Sequence, residues 1–157
     1  MITYKIGDCL ETPDRYIAHG CNNIGIMGAG IAKQILKKYP KACSNYFQRF
    51  QHNIASSLEG LGDIVIGHEK NKVIFHCITQ PSIGYNAKFV SYDAVDQCMY
   101  LISRNINERL SDIDRNISMP KIGAGLGGGE WSIIESIIKH RLKDFNVTVW
   151  SLGDERQ

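Results

Sequence analysis

Short β-rich runs, several of them apolar throughout, alternate along the chain with segments whose apolar residues recur every three or four positions. The runs are ITYKI (Ile2 to Ile6), YIAHG (Tyr16 to Gly20), DIVIG (Asp63 to Gly67), VIFHCI (Val73 to Ile78), ISMPKI (Ile117 to Ile122) and VTVWSL (Val147 to Leu152). Each predicts a strand, and strands that are apolar on both faces belong in a sheet covered on both sides.

The longer-period segments predict the covering helices. Ile31, Ile35 and Tyr39, flanked by Ala32 and Leu36, form one buried face, and Pro40 stops that helix. Cys43, Tyr46, Phe47 and Phe50 repeat the pattern, as do Val95, Cys98, Met99, Ile102 and Ile106, behind a predicted N-cap at Ser91 with Asp93 in the first turn. Ile134, Ile137, Ile138 and Leu142 form the last face. Interleaved strands and helices predict a three-layer α/β/α sandwich with a mixed, largely parallel sheet of about six strands. A ligand then belongs in the crevice outside the strand C-terminal ends.

Two glycine-rich loops fall at that edge, each after a strand and before a helix. The first is HGCNNIGIMGAGIAKQI, His19 to Ile35, and the second IGAGLGGGEW, Ile122 to Trp131. Glycines at a helix N-terminus leave its first amides open to an anion, above all a phosphate. Two such loops can close on a pyrophosphate from both sides. No Gly-Lys-Ser/Thr triplet marks a Walker A loop. Gly123, Gly125 and Gly128 match G-x-G-x-x-G, but too little chain follows for a dinucleotide-binding βαβ unit and its acidic residue. One glycine per loop would satisfy a tight turn, so the excess points to close backbone approach to a ligand.

Composition narrows the function. The 157 residues fit one domain, 1–157, and 43% apolar with 22% charged residues are ordinary for a globular protein. A net charge of +2 without long runs of one sign argues against broad electrostatic binding to nucleic acid. The cluster Lys33, Lys37, Lys38 and Lys41 suits the C-terminal end of a helix. Five cysteines without metal spacing favour a reducing, cytoplasmic setting. No run approaches a membrane span or a signal peptide, so no membrane partner is expected. His19, His52, His68, His76 and His140 show no ligand spacing, so no metal and no cofactor are predicted.

The combination of motifs resembles the macro domain family over nearly the whole chain. GDCLE matches its strand-end Gly-Asp, IAHGCNNIGIMGAGIAKQILKKYPKA its first loop and helix, MPKIGAGLGGGEW its phosphate-embracing second loop and VTVWSL its last strand. Within the family it is most similar to the branch of yeast-type ADP-ribose 1″-phosphate phosphatases and related ADP-ribosylhydrolases. That resemblance implies ADP-ribose or a 1″-derivative as ligand, with ADP-ribosylated protein or nucleic acid as further partners.

Carried over by position, the resemblance implies that Asp8, followed by Cys9, accepts the adenine amino group, since a carboxylate selects an N–H donor. Asn22 or Asn23 would bond the distal ribose. Backbone at Gly28, Ala29, Gly30, Ile31 and Ala32, and at Ile122, Gly123, Ala124, Gly125, Leu126, Gly127 and Gly128, would hold distal ribose and pyrophosphate. Trp150 to Leu152 would flank the adenine. Two catalytic candidates follow. His19, with an ordinary pKa near 6.5, could shift a proton at neutral pH. Lys88 lies in the region where lysine-dependent relatives carry a nucleophile, but the acid that assists it would fall at Gly127. The resemblance thus implies a metal-independent hydrolase: a phosphatase acting on ADP-ribose 1″-phosphate, an ADP-ribosylhydrolase, or a reader without catalysis.

Overall fold

In the computed structural model, which describes residues 1–54, 56–81, 90–109, 111–125 and 127–153, the six runs form six strands of one sheet. They are β1 (Ile2–Ile6), β2 (Tyr16–Asn22), β3 (Ile64–Glu69), β4 (Lys72–Gln80), β5 (Asn116–Pro120) and β6 (Asn146–Ser151). The spatial order is β1-β6-β5-β2-β4-β3, parallel throughout except for the edge strand β3, which runs antiparallel to β4. The parallel strands therefore all end at one edge, where the ligand crevice is expected.

Helices cover both faces: α1 (Gly30–Lys38), α2 (Ser44–Phe50), α3 (Tyr92–Asn107) and α4 (Trp131–Arg141). The alternation of side chains along a strand sorts the core into two layers. Tyr16, Ala18, Val73, Phe75 and Cys77 pack with Val95, Met99, Ile102, Ile134 and Ile138 from α3 and α4. On the other face Ile17, Cys21, Ile74 and Ile78 pack with Ile35, Tyr46 and Phe50 from α1 and α2. Every residue of β4 from Lys72 to Thr79 is buried, the signature of a central strand covered on both sides. Truncating wholly buried Ile102 to Ala would cost about 2–5 kcal/mol.

The local signals hold at the ends. Tyr39 closes α1 by donating its amide to Ile35, with Pro40 next. Lys37 and Lys38 occupy the last turn, and Lys38 Nζ donates to the Leu10 carbonyl (2.8 Å) and to Glu11 (3.2 Å). Ser91 caps α3 by accepting from the Ala94 amide at 3.2 Å. Four strand ends differ from expectation by two residues. β3 runs on to Glu69 because it stays paired with β4 as far as Lys72, and β4 runs on to Gln80, which pairs with Asn22. β2 runs on to Asn22 because Cys21 and Asn22 still pair with β4, across an irregularity. β5 ends at Pro120, two residues early, because the chain turns there and the Ile122 amide donates to the Pro120 carbonyl at 2.8 Å. The shifts in β2, β4 and β5 set the cleft walls. Among the described residues no helix is long and apolar enough to cross a membrane, and all five cysteines are buried and unpaired.

Candidate active site

The C-terminal ends of β2, β4 and β5 enclose a cleft of about 720 Å³. Residues 28–32 of the first loop and residues 122–125 and 127 of the second form facing walls, with Gly20 and Thr79 between them. The two loops predicted to close on one ligand therefore do meet.

The first wall is built around a single side chain. Asn22 Oδ1 accepts from the amides of Ile24 (3.0 Å) and Ile26 (3.3 Å) and from the Tyr46 hydroxyl (2.8 Å), while Nδ2 donates to the Ile26 carbonyl (2.8 Å). The loop is wrapped about this amide and turns at Gly25, whose φ is +75°. Asn23 points elsewhere. Wholly buried, it donates to the carbonyls of Ser57 (2.9 Å) and Glu59 (3.0 Å), and it does not line the cleft. Of the two asparagines, then, Asn22 stands at the cleft and Asn23 ties the loop to residues 57–59.

Helix α1 opens at Gly30 with Ala29 as an extended N-cap that makes no side-chain cap. The first amide returned to the helix is that of Lys33, donating to Ala29 at 3.3 Å. The amides of Gly30, Ile31 and Ala32 have no intrahelical acceptor, and all three residues line the cleft. With the helix dipole behind them, their geometry is of the kind that suits an anion.

The glycines fall into two groups. A Cβ on Gly123 would come within 2.7 Å of Val90 Cγ2, on Gly129 within 2.6 Å of Val90 Cγ1, and on Gly127 within 2.8 Å of the Gly123 carbonyl. These three are bare because protein packs against them. A Cβ on Gly125 or Gly30 would meet nothing within 4 Å, and on Gly28 only Ile26 Cγ2 at 3.8 Å. Their open side faces empty cleft. The excess of glycine in the second loop is thus largely a packing requirement, with Gly125 the position left open to a ligand.

Asp8 and Leu152 lie at the same sheet edge, over β1 and β6, brought together by the Gly7 amide donating to the Ser151 carbonyl at 2.7 Å. Asp8 caps the turn Cys9–Glu11 by accepting from the Leu10 amide at 2.9 Å, and Leu152 is 87% exposed. Cys9 is buried, and burial beside Asp8 and Asp14 pushes its thiol up to about 12, so only its backbone is available. Trp150 donates its indole N–H to Ser118 Oγ at 3.0 Å, a packing role at the rim.

His19 is wholly buried, outside the cleft lining, in a chain that the tautomers fix. His76 Nε2 lies 2.7 Å from the Ala42 carbonyl and must donate to it. His76 Nδ1 therefore accepts, at 2.7 Å, from His19 Nε2. His19 Nδ1 is left to accept from the Cys21 thiol, 3.7 Å away. Burial, and for His19 the neighbouring imidazole, hold both rings neutral: His76 is lowered to about 4 and His19 lies well below 6.5. Cys21 does line the cleft, so it stands between His19 and any ligand. His19, Cys21 and His76 also offer three ligand atoms within 4.8 Å of one another, a grouping that their separations of 2 and 57 residues concealed.

Lys88 and Leu126 lie outside the described residues. Thr79 and Gln80, at the end of β4, line the cleft and were not anticipated. Their signal was positional: a Thr-Gln pair just past an apolar run, at the ligand-bearing edge.

The chain belongs to the macro domain family, whose model matches residues 18–138. An ADP-ribose 1″-phosphate phosphatase from Lodderomyces elongisporus is 29% identical, over 85% of this chain and 85% of that protein. A DNA ADP-ribosyl glycohydrolase from Mycobacterium tuberculosis is 25% identical over 86% of this chain but only 37% of its own length. The solved macrodomain protein from Streptomyces coelicolor is 26% identical with a TM-score of 0.75, covering 98% of this chain and all of that one.

Proposed function

We propose that the chain, acting as one domain over 1–157, binds ADP-ribose in this cleft and removes the phosphate from ADP-ribose 1″-phosphate. The observation that carries the reading is the set of amides at Gly30, Ile31 and Ala32, without an intrahelical acceptor, on the same cleft as the open backbone at Gly125, a clamp for the pyrophosphate. Asp8 accepts the adenine amino group beside Leu152. Water attacks phosphorus, an O–P bond forms as the bond from phosphorus to the 1″ oxygen breaks, and that oxygen takes a proton. The products are ADP-ribose and inorganic phosphate.

Gly127 supports phosphate release over glycosidic cleavage. A side chain there would meet the Gly123 carbonyl at 2.8 Å and Gln80 Oε1 at 3.2 Å, so the second loop has no room for the acid that a lysine nucleophile needs. Lys88 serves in this reading as a cation for the phosphate. His19 is a positioning residue, setting the cleft wall through Cys21. Five buried, unpaired thiols fit a reducing, cytoplasmic setting.

The second reading, removal of ADP-ribose from protein or nucleic acid, is favoured by the similarity to the mycobacterial glycohydrolase. One comparison separates them: phosphate release from ADP-ribose 1″-phosphate beside ADP-ribose release from modified protein and DNA, with wild type, His19→Ala and Lys88→Ala. Phosphate release alone is expected, reduced in both variants. ADP-ribose release alone would replace the reading with the second. Tight ADP-ribose binding without turnover would make the protein a reader.

A further inference from the structure

Thr79 carries an anomaly that the fold does not need. It is 1% exposed, and its hydroxyl has no hydrogen-bond partner among the described residues. A buried polar group left unpaired is a cost that folded chains rarely keep. The same residue lines the cleft, and Thr79 Oγ1 lies 3.0 Å from where a Cβ on Gly20 would stand, with Ile122 and the Gly123 amide beside that point. Gly20 is bare where a side chain would press on this hydroxyl. Nothing in the packing accounts for a threonine there, because valine would fill the same space without the orphan.

Its place along the cleft says which part of a ligand it meets. With adenine at Asp8 and Leu152 over β1 and β6, the ligand must run across β5 and β2 to reach β4, three strand steps of about 4.8 Å each from β6. Thr79 and Gln80 end β4, at the far end of that path.

The geometry points to Thr79 Oγ1 as the side-chain contact for the 1″ group at the distal end of the ligand. This deepens the phosphatase reading and rests on it. A hydroxyl suits both sides of the reaction. It donates to a phosphate oxygen of the substrate, and it accepts from, or donates to, the 1″ hydroxyl of the product. It also brings no charge, so it discriminates less against product than a cation would.

The test compares Thr79→Val and Thr79→Ser with wild type by calorimetry, using ADP-ribose and, as a ligand that stops before the distal ribose, ADP. Thr79→Val should bind ADP-ribose about tenfold more weakly and ADP unchanged, while Thr79→Ser stays near wild type for both. Thermal unfolding of Thr79→Val should be unshifted or raised, because the orphan is gone. On ADP-ribose 1″-phosphate, Thr79→Val should lose about tenfold or more in kcat/KM. Equal weakening of ADP and ADP-ribose would mean a structural effect and overturn the contact, as would ADP-ribose affinity within twofold of wild type. If the wild-type protein binds ADP-ribose but releases no phosphate, the phosphatase reading falls, and the Thr79→Val comparison of ADP-ribose with ADP still decides the contact.

Discussion

The two glycine loops face one another across the same cleft, yet they are shaped in opposite ways. The first is held from inside by the Asn22 side chain, which makes three hydrogen bonds within the loop and one to Tyr46, and its glycines at 28 and 30 are open to the cleft. The second is pressed into shape by Val90 and Ile134 against Gly123 and Gly129. Glycine in the first loop mostly leaves cleft space open, and in the second, Gly125 apart, it mostly makes room for the protein. Sequence composition cannot separate these uses, but substitution can.

The largest effect should come at Gly123. Its φ of +75° disfavours any side chain, and an added Cβ would sit 2.7 Å from Val90 Cγ2. Backbone strain of about 1–2 kcal/mol and overpacking of about 1–3 kcal/mol add to a destabilisation of about 2–5 kcal/mol for Gly123→Ala. Denaturant unfolding measures it. A variant as stable as wild type would mean that the second loop is not set by packing.

Acid should act on the first loop's support instead. His19 and His76 lie on the α1/α2 face beneath the Cys21–Asn22 end of β2, with Cys21 and the Ala42 carbonyl as the other members of their chain. In the unfolded chain both titrate near 6.5, whereas the folded His76 is held down to about 4 and His19 well below 6.5. Below pH 6.5 the unfolded state takes up protons first. Stability is therefore full above 6.5 and lost as the pH falls toward 4, by about 3 kcal/mol from His76 alone. The slope of unfolding free energy against pH checks this, and it should flatten when both rings are replaced by Phe. Asn22→Ala follows, at about 1–2 kcal/mol for the lost bonds to the Ile24 and Ile26 amides and the Ile26 carbonyl, while the Tyr46 hydroxyl keeps the Asn22 carbonyl at 2.9 Å, and ligand binding should weaken as the loop loosens.

This contrast also marks what could be read from the chain. The strands and helices were legible because each carries its own pattern: the continuous apolar runs of β2 and β4, the three- and four-residue spacing of Val95 to Ile106, the cap at Ser91. The cleft was legible too, since parallel strands fix where loops converge. Individual side chains were not. His19 and His76 are 57 residues apart and meet only because β2 and β4 pair in register, which no spacing announces. Asn22 and Asn23 are neighbours of one type, and a strand end with alternating sides sends one to the cleft and the other to residues 57–59. Thr79 carried only the signal of its position after an apolar run, and its missing partner was not legible.

The smallest effect on stability should fall on the glycines that face empty space, and there the comparison is sharpest. An alanine at Gly125 would touch nothing, and at Gly28 only the tip of Ile26. Gly28→Ala and Gly125→Ala should leave the unfolding free energy within about 0.5 kcal/mol of wild type, or raise it slightly by restricting the unfolded chain. If those faces exist for a ligand, each methyl then stands where the pyrophosphate approaches, and ADP-ribose affinity should fall about tenfold or more by calorimetry. Loss of binding without loss of stability separates a glycine kept for the ligand from one kept for the fold. If both variants bind as wild type does, the open backbone is not the clamp, and the ligand must be held by the helix amides of residues 30–32 alone.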